Sequence, residues 1–188
     1  MENINRKILE IAASFGKTPV FGAGKAKNAK ILLLGEAPGA KEVETGKPFA
    51  GSAGKNLDEF LNILNLRRED IYITNTVKIR PSRVNGKTGR IVNRPPAKAE
   101  ISAFSNVLKN EISAVSPEII VTLGNTALQA LLGEDKKIGN CHGQIFHMED
   151  FLIFPLYHPA AVIYRRSLRD EYLADLEKLK ELTEGKIR

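Results

Sequence analysis

The sequence predicts an α/β fold, a three-layer α/β/α sandwich around a mostly parallel central sheet. Three observations carry this. Apolar runs recur at Ile31-Leu32-Leu33-Leu34, Ile71-Tyr72-Ile73-Thr74 and Ile119-Ile120-Val121-Thr122-Leu123, as strands buried on both faces require. Between them, Ser52 to Leu64 and Pro96 to Val115 have helical spacing, so strand and helix alternate. The chain is 188 residues long, with 43% hydrophobic and 27% charged residues. That is the composition and size of one packed domain, expected to span residues 1–188 without repeat or linker.

Taken in order, residues 5–14 are spaced as a short helix, and Gly22 to Lys30 reads as a loop. The run at 31–34 ends in Gly35 and is the first core strand. Ser52 suits a helix N-cap, and Pro95-Pro96 suit a helix start. Gln144 to His147 and Phe151 to Leu156 read as a strand pair separated by Met148-Glu149-Asp150. Leu168, Tyr172, Leu176 and Leu179 space a closing amphipathic helix from about Arg169 to Leu182. No apolar run approaches the ~18 to 20 residues of a membrane span, and the N-terminus lacks a signal-peptide stretch. A cytoplasmic protein, a monomer without membrane association, is expected.

In such sheets ligands bind where loops leave the carboxyl ends of the strands. Three of those ends carry polar residues: Gly35-Glu36-Ala37-Pro38-Gly39, Thr74-Asn75-Thr76-Val77-Lys78, and Tyr157-His158-Pro159-Ala160. The first lets backbone N–H groups approach a ligand, while Glu36 and Glu42 bring carboxylates. Asn75 offers a donor and an acceptor side by side, which matches a pyrimidine edge but also suits a turn. His158 is held by Pro159, and Phe49 could stack on a base or fill the core. The spacing at Gly54-Lys55 fails the Walker pattern, because Phe49 stands where its first glycine would be and Asn56 replaces Ser/Thr.

The net charge is +6, which favours a polyanionic partner only if the charge is localised. It is: Lys78, Arg80, Arg83, Lys87, Arg90 and Arg94 occupy a stretch with no acidic residue, broken by Pro81, Gly86 and Gly89. The sequence predicts a mobile basic arm that contacts phosphates. Arg165, Arg166 and Arg169 add a second cluster just past His158, and Ala161-Val162-Ile163-Tyr164 could wedge into a base stack or pack under the last helix. A single cysteine, Cys141, makes no internal disulfide and cannot by itself hold a cluster or a closed zinc site, so no metal and no cofactor are expected.

Together these motifs resemble the family 4 uracil-DNA glycosylases. The resemblance runs through Gly35 to Glu42, Thr45 to Gly51, Ala53-Gly54, Tyr72 to Lys78, Arg80-Pro81, Asn93-Arg94, Pro117, Leu123-Gly124 and His158-Pro159-Ala160. It implies a uracil-DNA glycosylase-like fold, uracil-containing DNA as partner, and a DNA repair reaction that flips uracil out and hydrolyses its N-glycosidic bond. It further implies that Gly35, Glu36 and Ala37 line the uracil pocket and hold the attacking water. Phe49 would stack on the base, Asn75 would read its edge, and His158 would bond to the charge developing on O2. Members of that family are similar in carrying four cysteines for a [4Fe–4S] cluster. Here Ile79 and Phe104 stand at two of those places, and apolar packing is expected instead. Val84 to Val92 looks like an insertion.

Glycosidic cleavage is eased by an oxocarbenium-like sugar and by fixed donors for the leaving anion. Glu36 is the first choice to orient the water and Glu42 the second. Two alternatives stay open: a glycosylase for hypoxanthine or xanthine, and a binding module that holds uracil-DNA without turnover.

Overall fold

A strand that is apolar on both sides needs cover on both sides, and the inner strands have it. The chain runs from α1 (Glu2–Ser14) through β1 (Ala23–Gly24) into β2 (Ile31–Gly35). Helices α2 (Ala40–Thr45) and α3 (Ser52–Ile63) lead to β3 (Tyr72–Asn75), and a hairpin of β4 (Ser82–Val84) and β5 (Ile91–Asn93) leads to α4 (Lys98–Val115). Then come β6 (Ile119–Leu123), α5 (Gly124–Leu132), α6 (Ile138–Cys141), β7 (Phe146–His147), β8 (Leu152–Leu156), α7 (Pro159–Tyr164) and α8 (Arg169–Thr183). This computed structural model describes residues 1–185, apart from the side chains of Ser52, Ala53, Ile163, Tyr164 and Arg166.

The main sheet has six strands in the order β1-β3-β2-β6-β8-β7. Its inner strands β3, β2, β6 and β8 are parallel, and β1 and β7 close the two edges antiparallel. Every residue of β2 is buried. Ile31 and Leu33 face Phe60 of α3 and Leu176 of α8, while Leu32 and Leu34 face Leu108 and Ile112 of α4 and Ala127 of α5. The predicted three-layer α/β/α sandwich therefore forms. Helix α1 packs outside α4, with Ile8 and Ala12 against Phe104 and Val107. Among the described residues no helix is long and apolar enough to cross a membrane.

From β2 the chain crosses to β3 on one side and later reaches β6 on the other. The carboxyl end of β2 is thus a switch point, where the diverging loops leave a crevice.

The expected mobile arm is instead a paired hairpin, with Ser82 opposite Asn93 and Val84 opposite Ile91. The Asn85 side chain accepts the N–H groups of Lys87 and Thr88 at 2.9 and 3.2 Å, and Gly89 takes φ +66°. These contacts close the turn that so dense a positive charge obscures in the sequence. Short helices α2, α5 and α7 also escape periodicity, because each is only one to three turns long.

Candidate active site

At the end of β2 the chain must let two side chains approach its backbone. A Cβ on Gly35 would lie 2.4 Å from Asn75 Oδ1 and 2.7 Å from the Phe49 ring, so only glycine fits. Beyond the strand ends, Thr76 donates its N–H and its hydroxyl to the Gly35 carbonyl at 2.9 Å each, and Val77 N–H donates to Glu36 O at 3.1 Å. The two strands stay joined past their registered pairs, and Asn75 is fixed beside Gly35. Asn75 is 4% exposed. Among the described residues its side-chain amide makes no hydrogen bond, and Asn75 lines the cavity, so a donor and an acceptor stand open to a ligand there.

Phe49 forms an adjacent wall. It is buried yet has φ +52°, a left-handed conformation that costs free energy in a bulky residue. Arg68 holds this bend by donating to the carbonyls of Phe49 and Gly54 at 3.0 Å each, and its Nε bonds Asp58 at 2.7 Å. Glu42 ties the same loop to the turn after β2, accepting Gly39 N–H at 3.0 Å and Gly51 N–H at 2.7 Å. Both of its oxygens are therefore committed to the backbone. Glu42 also lines the cavity, where these two bonds make it a brace between the turns.

His158 follows β8 and caps α7. Its Nδ1 accepts the Ala160 N–H at 3.2 Å, which leaves the proton of a neutral ring on Nε2. Burial pushes the imidazole below the ordinary histidine range, and the nearby Glu36 carboxylate opposes that shift. His158 faces Phe49 with ring centroids 6.3 Å apart and planes 20° from parallel. Glu36 itself does not line the cavity: its carboxylate accepts the Thr126 hydroxyl of α5 at 2.6 Å.

Ala37, Glu42, Phe49, Asn75 and His158 thus share one cavity of about 310 Å³; Gly35 and Glu36 are not among its lining residues, but the Glu36 carboxylate lies near enough to His158 to act on its charge. Three contributors were not singled out in the sequence. Lys41 lines the cavity; Asn93, at the end of the hairpin, lines it and holds Arg80 Nε at 2.7 Å; Thr126 fixes Glu36. Asn93 did belong to the Asn93-Arg94 motif, which was the available signal.

The basic residues divide. Arg83, Lys87, Arg90 and Arg165 are exposed, and Arg80 is half-buried; the Arg166 side chain lies outside the described residues. Lys78 is no phosphate contact: it is wholly buried, donating to Thr74 Oγ1 at 2.7 Å and Asn75 O at 2.6 Å and pairing with Glu111. Burial pulls its ammonium below the ordinary lysine range, and Glu111 opposes that shift. Arg94 is likewise committed, with its guanidinium forked onto Glu100 at 2.6 and 2.8 Å. The sequence shows their charge but not their partners at 111 and 100.

Residues 21–180 match the family model of the uracil DNA glycosylase superfamily. The chain is 39% identical over 169 residues to the type-4 uracil-DNA glycosylase of Archaeoglobus fulgidus, covering 86% of this chain and 80% of the relative. It is 39% identical over 181 residues to that of Saccharolobus solfataricus, covering 92% and 79%. A DNA polymerase of Bacillus phage SP01 is 31% identical over 179 residues, covering 95% of this chain and 18% of the polymerase.

The expectation that no cofactor is present is corrected by these relatives, since type-4 uracil-DNA glycosylases carry an iron–sulfur cluster. The residues of this chain do not fit one. Cys141 is its single cysteine, and among the described residues no group of three or more His, Cys, Asp or Glu could hold a metal. Ile79 and Phe104 are fully buried against Ile8, Val77 and Val107. In sequence over most of its length, the chain belongs to the uracil-DNA glycosylase superfamily, with the type-4 enzymes among its relatives.

Proposed function

We propose that this protein turns a uracil nucleotide out of DNA and hydrolyses its N-glycosidic bond, leaving free uracil and an abasic site. The observation that carries the reading is the buried, unengaged amide of Asn75 in one cavity with the Phe49 ring and His158. An amide oxygen accepts the N3–H of uracil while its NH₂ donates to O4, and cytosine presents the reverse pattern. Phe49 supplies a stacking face.

In the reaction the C1′–N1 bond breaks with its electron pair leaving on uracil, and water oxygen bonds to C1′. His158 donates from Nε2 to uracil O2, where negative charge grows. A neutral donor suits this place, because burial disfavours the imidazolium. Glu36, held by Thr126, orients the water and receives its proton. Gly35 and Ala37 shape the backbone around that water. Extrusion costs a few kcal/mol and needs clamps on the flanking phosphates. Arg80, Arg83, Lys87, Arg90, Arg165 and Arg166 take that role in this reading. The proposal takes residues 1–188 as a single domain that acts as a cytoplasmic monomer.

Incubating the protein with a uracil-containing oligonucleotide and scoring alkali-labile sites tests the reading. A single break at uracil is expected, and intact DNA contradicts it. A break only at hypoxanthine or xanthine would move the specificity to another base.

Asn75→Asp should lower uracil excision and narrow the preference for uracil over cytosine, because a carboxylate loses the donor to O4 and accepts from the cytosine amino group. Single-turnover rates on matched oligonucleotides measure this; undiminished uracil activity would remove Asn75 from base reading. The double change Arg83→Ala with Arg90→Ala should weaken DNA binding and flatten its dependence on salt, while sparing the cleavage rate at saturating enzyme. Equal affinity at every salt concentration would place the hairpin away from DNA.

A further inference from the structure

Phe49 holds a costly left-handed conformation, φ +52°, and such an outlier persists only where its surroundings over-determine it. The loop between α3 and β3 supplies the hold. Two arginines stand side by side in that loop and are spent differently. Arg67 pairs with Glu69 and Asp70 of the same loop at 2.7 and 3.1 Å, among exposed side chains. Arg68 reaches back 14 and 19 residues instead: Nη2 donates to the Gly54 carbonyl and Nη1 to the Phe49 carbonyl, at 3.0 Å each. Asp58 of α3 aims this fork by accepting from Nε at 2.7 Å. Every guanidinium nitrogen is engaged, and Arg68 is not among the cavity's lining residues.

The fit around the fork is close. A Cβ on Gly54 would lie 2.0 Å from the Phe49 carbonyl oxygen and 2.9 Å from Arg68 Nη2, so a side chain there would push the carbonyl off the guanidinium. A bulky residue released from such a hold returns to negative φ, which redirects its side chain. The Phe49 ring lines the cavity and lies 6.3 Å from the His158 ring, so its direction decides whether the cavity has a stacking face. We propose that Arg68 is a positioning residue for base binding: its fork on two main-chain carbonyls holds Phe49 left-handed and keeps the stacking wall in place before a base arrives. The proposal rests on the uracil-excision reading and adds to it a residue that does not touch the substrate. A planar fork is needed because the two carbonyls take their N–H groups from different nitrogens, whereas a lysine ammonium is a point donor on a flexible stem.

The test is Arg68→Lys, which keeps the charge and loses the fork, made both in the wild-type chain and in Phe49→Ala. Single-turnover excision is measured on a duplex with one uracil, well below each variant's melting temperature. Affinity is measured for a duplex carrying a tetrahydrofuran abasic analogue, which has no base to stack. The expected result in the wild-type chain is a fall in rate of roughly tenfold, within the range that loss of base–aromatic stacking covers, with affinity for the abasic analogue unchanged. In Phe49→Ala the same change should cost less than about twofold, because the effects of a residue that acts through another do not add. Where Arg68→Lys does not fold, Gly54→Ala, which crowds the same carbonyl, decides by the same comparison. A wild-type rate in Arg68→Lys would overturn the assignment, as would equal losses in both backgrounds, which would make Arg68 a general support of the fold. Weaker affinity for the abasic analogue would overturn it in favour of a phosphate contact. Wild type that releases no uracil overturns the excision reading itself, whereas each of the other outcomes is read beside an active wild type.

Discussion

His158→Ala should slow the single-turnover release of uracil by roughly 10² to 10³, the loss typical of deleting one preorganised donor to a developing anion, with DNA affinity almost unchanged. The imidazole is fixed before substrate arrives: Nδ1 accepts from Ala160, burial keeps the ring neutral, and Nε2 keeps the proton to donate. Alanine removes that donor and also the cap on α7, so melting temperature is measured beside the rate. A variant with lowered melting temperature but a wild-type rate well below it would reduce His158 to a cap. The same ring links stability to acid. Its folded pKa lies below the ordinary value of about 6.5, so above that pH the ring is neutral in both states and stability is full. As pH falls further the unfolded chain takes up the proton first, and stability declines until the folded ring also titrates. His158→Gln should shed that part of the acid sensitivity.

Glu111→Ala should cost about 3–5 kcal/mol, the scale for breaking a buried ion pair by removing one member, and lower the melting temperature by roughly 6–20 °C. The loss is large because Glu111 serves a whole network. It pairs with Lys78 and accepts from the Tyr72 hydroxyl at 2.8 Å and the Thr74 hydroxyl at 3.2 Å. Without it the Lys78 ammonium is buried uncompensated, and burial already pulls that group below its ordinary range. Removing both charges together, Lys78→Met with Glu111→Leu, should recover much of the loss, since an apolar pair of similar volume does without the desolvation cost. The network also reaches the site, because Lys78 Nζ donates to the Asn75 carbonyl. The double variant should therefore be more stable than Glu111→Ala yet still excise uracil more slowly than wild type. A melting temperature unchanged in Glu111→Ala, followed by thermal unfolding, would contradict this account of the pair.

Much of the fold was legible in the sequence because strands buried on both faces leave runs that no surface strand tolerates. Ile119 to Leu123 is the predicted strand to the residue, and the run at 31–34 needs only Gly35 added. Asn75 and His158 could be placed because they directly follow such runs. What stayed hidden depends on partners distant in sequence. Lys78 reads as one more cation of a basic stretch until Glu111, 33 residues on, is seen beside it. Glu42 reads as a free carboxylate until the backbone of Gly39 and Gly51 occupies both its oxygens. The hairpin was hidden by composition: three-residue strands are too short for alternation to stand out.

The central claim is that one cavity selects a uracil base and stabilises its departure. It is tested most directly by incubating wild-type protein, in excess, with a duplex carrying one uracil and quantifying free base and abasic sites together by mass spectrometry. The account requires free uracil and abasic DNA in equal amounts, with thymine and cytosine left in place. Bound but uncleaved uracil-DNA, or release of another base in preference to uracil, would contradict it.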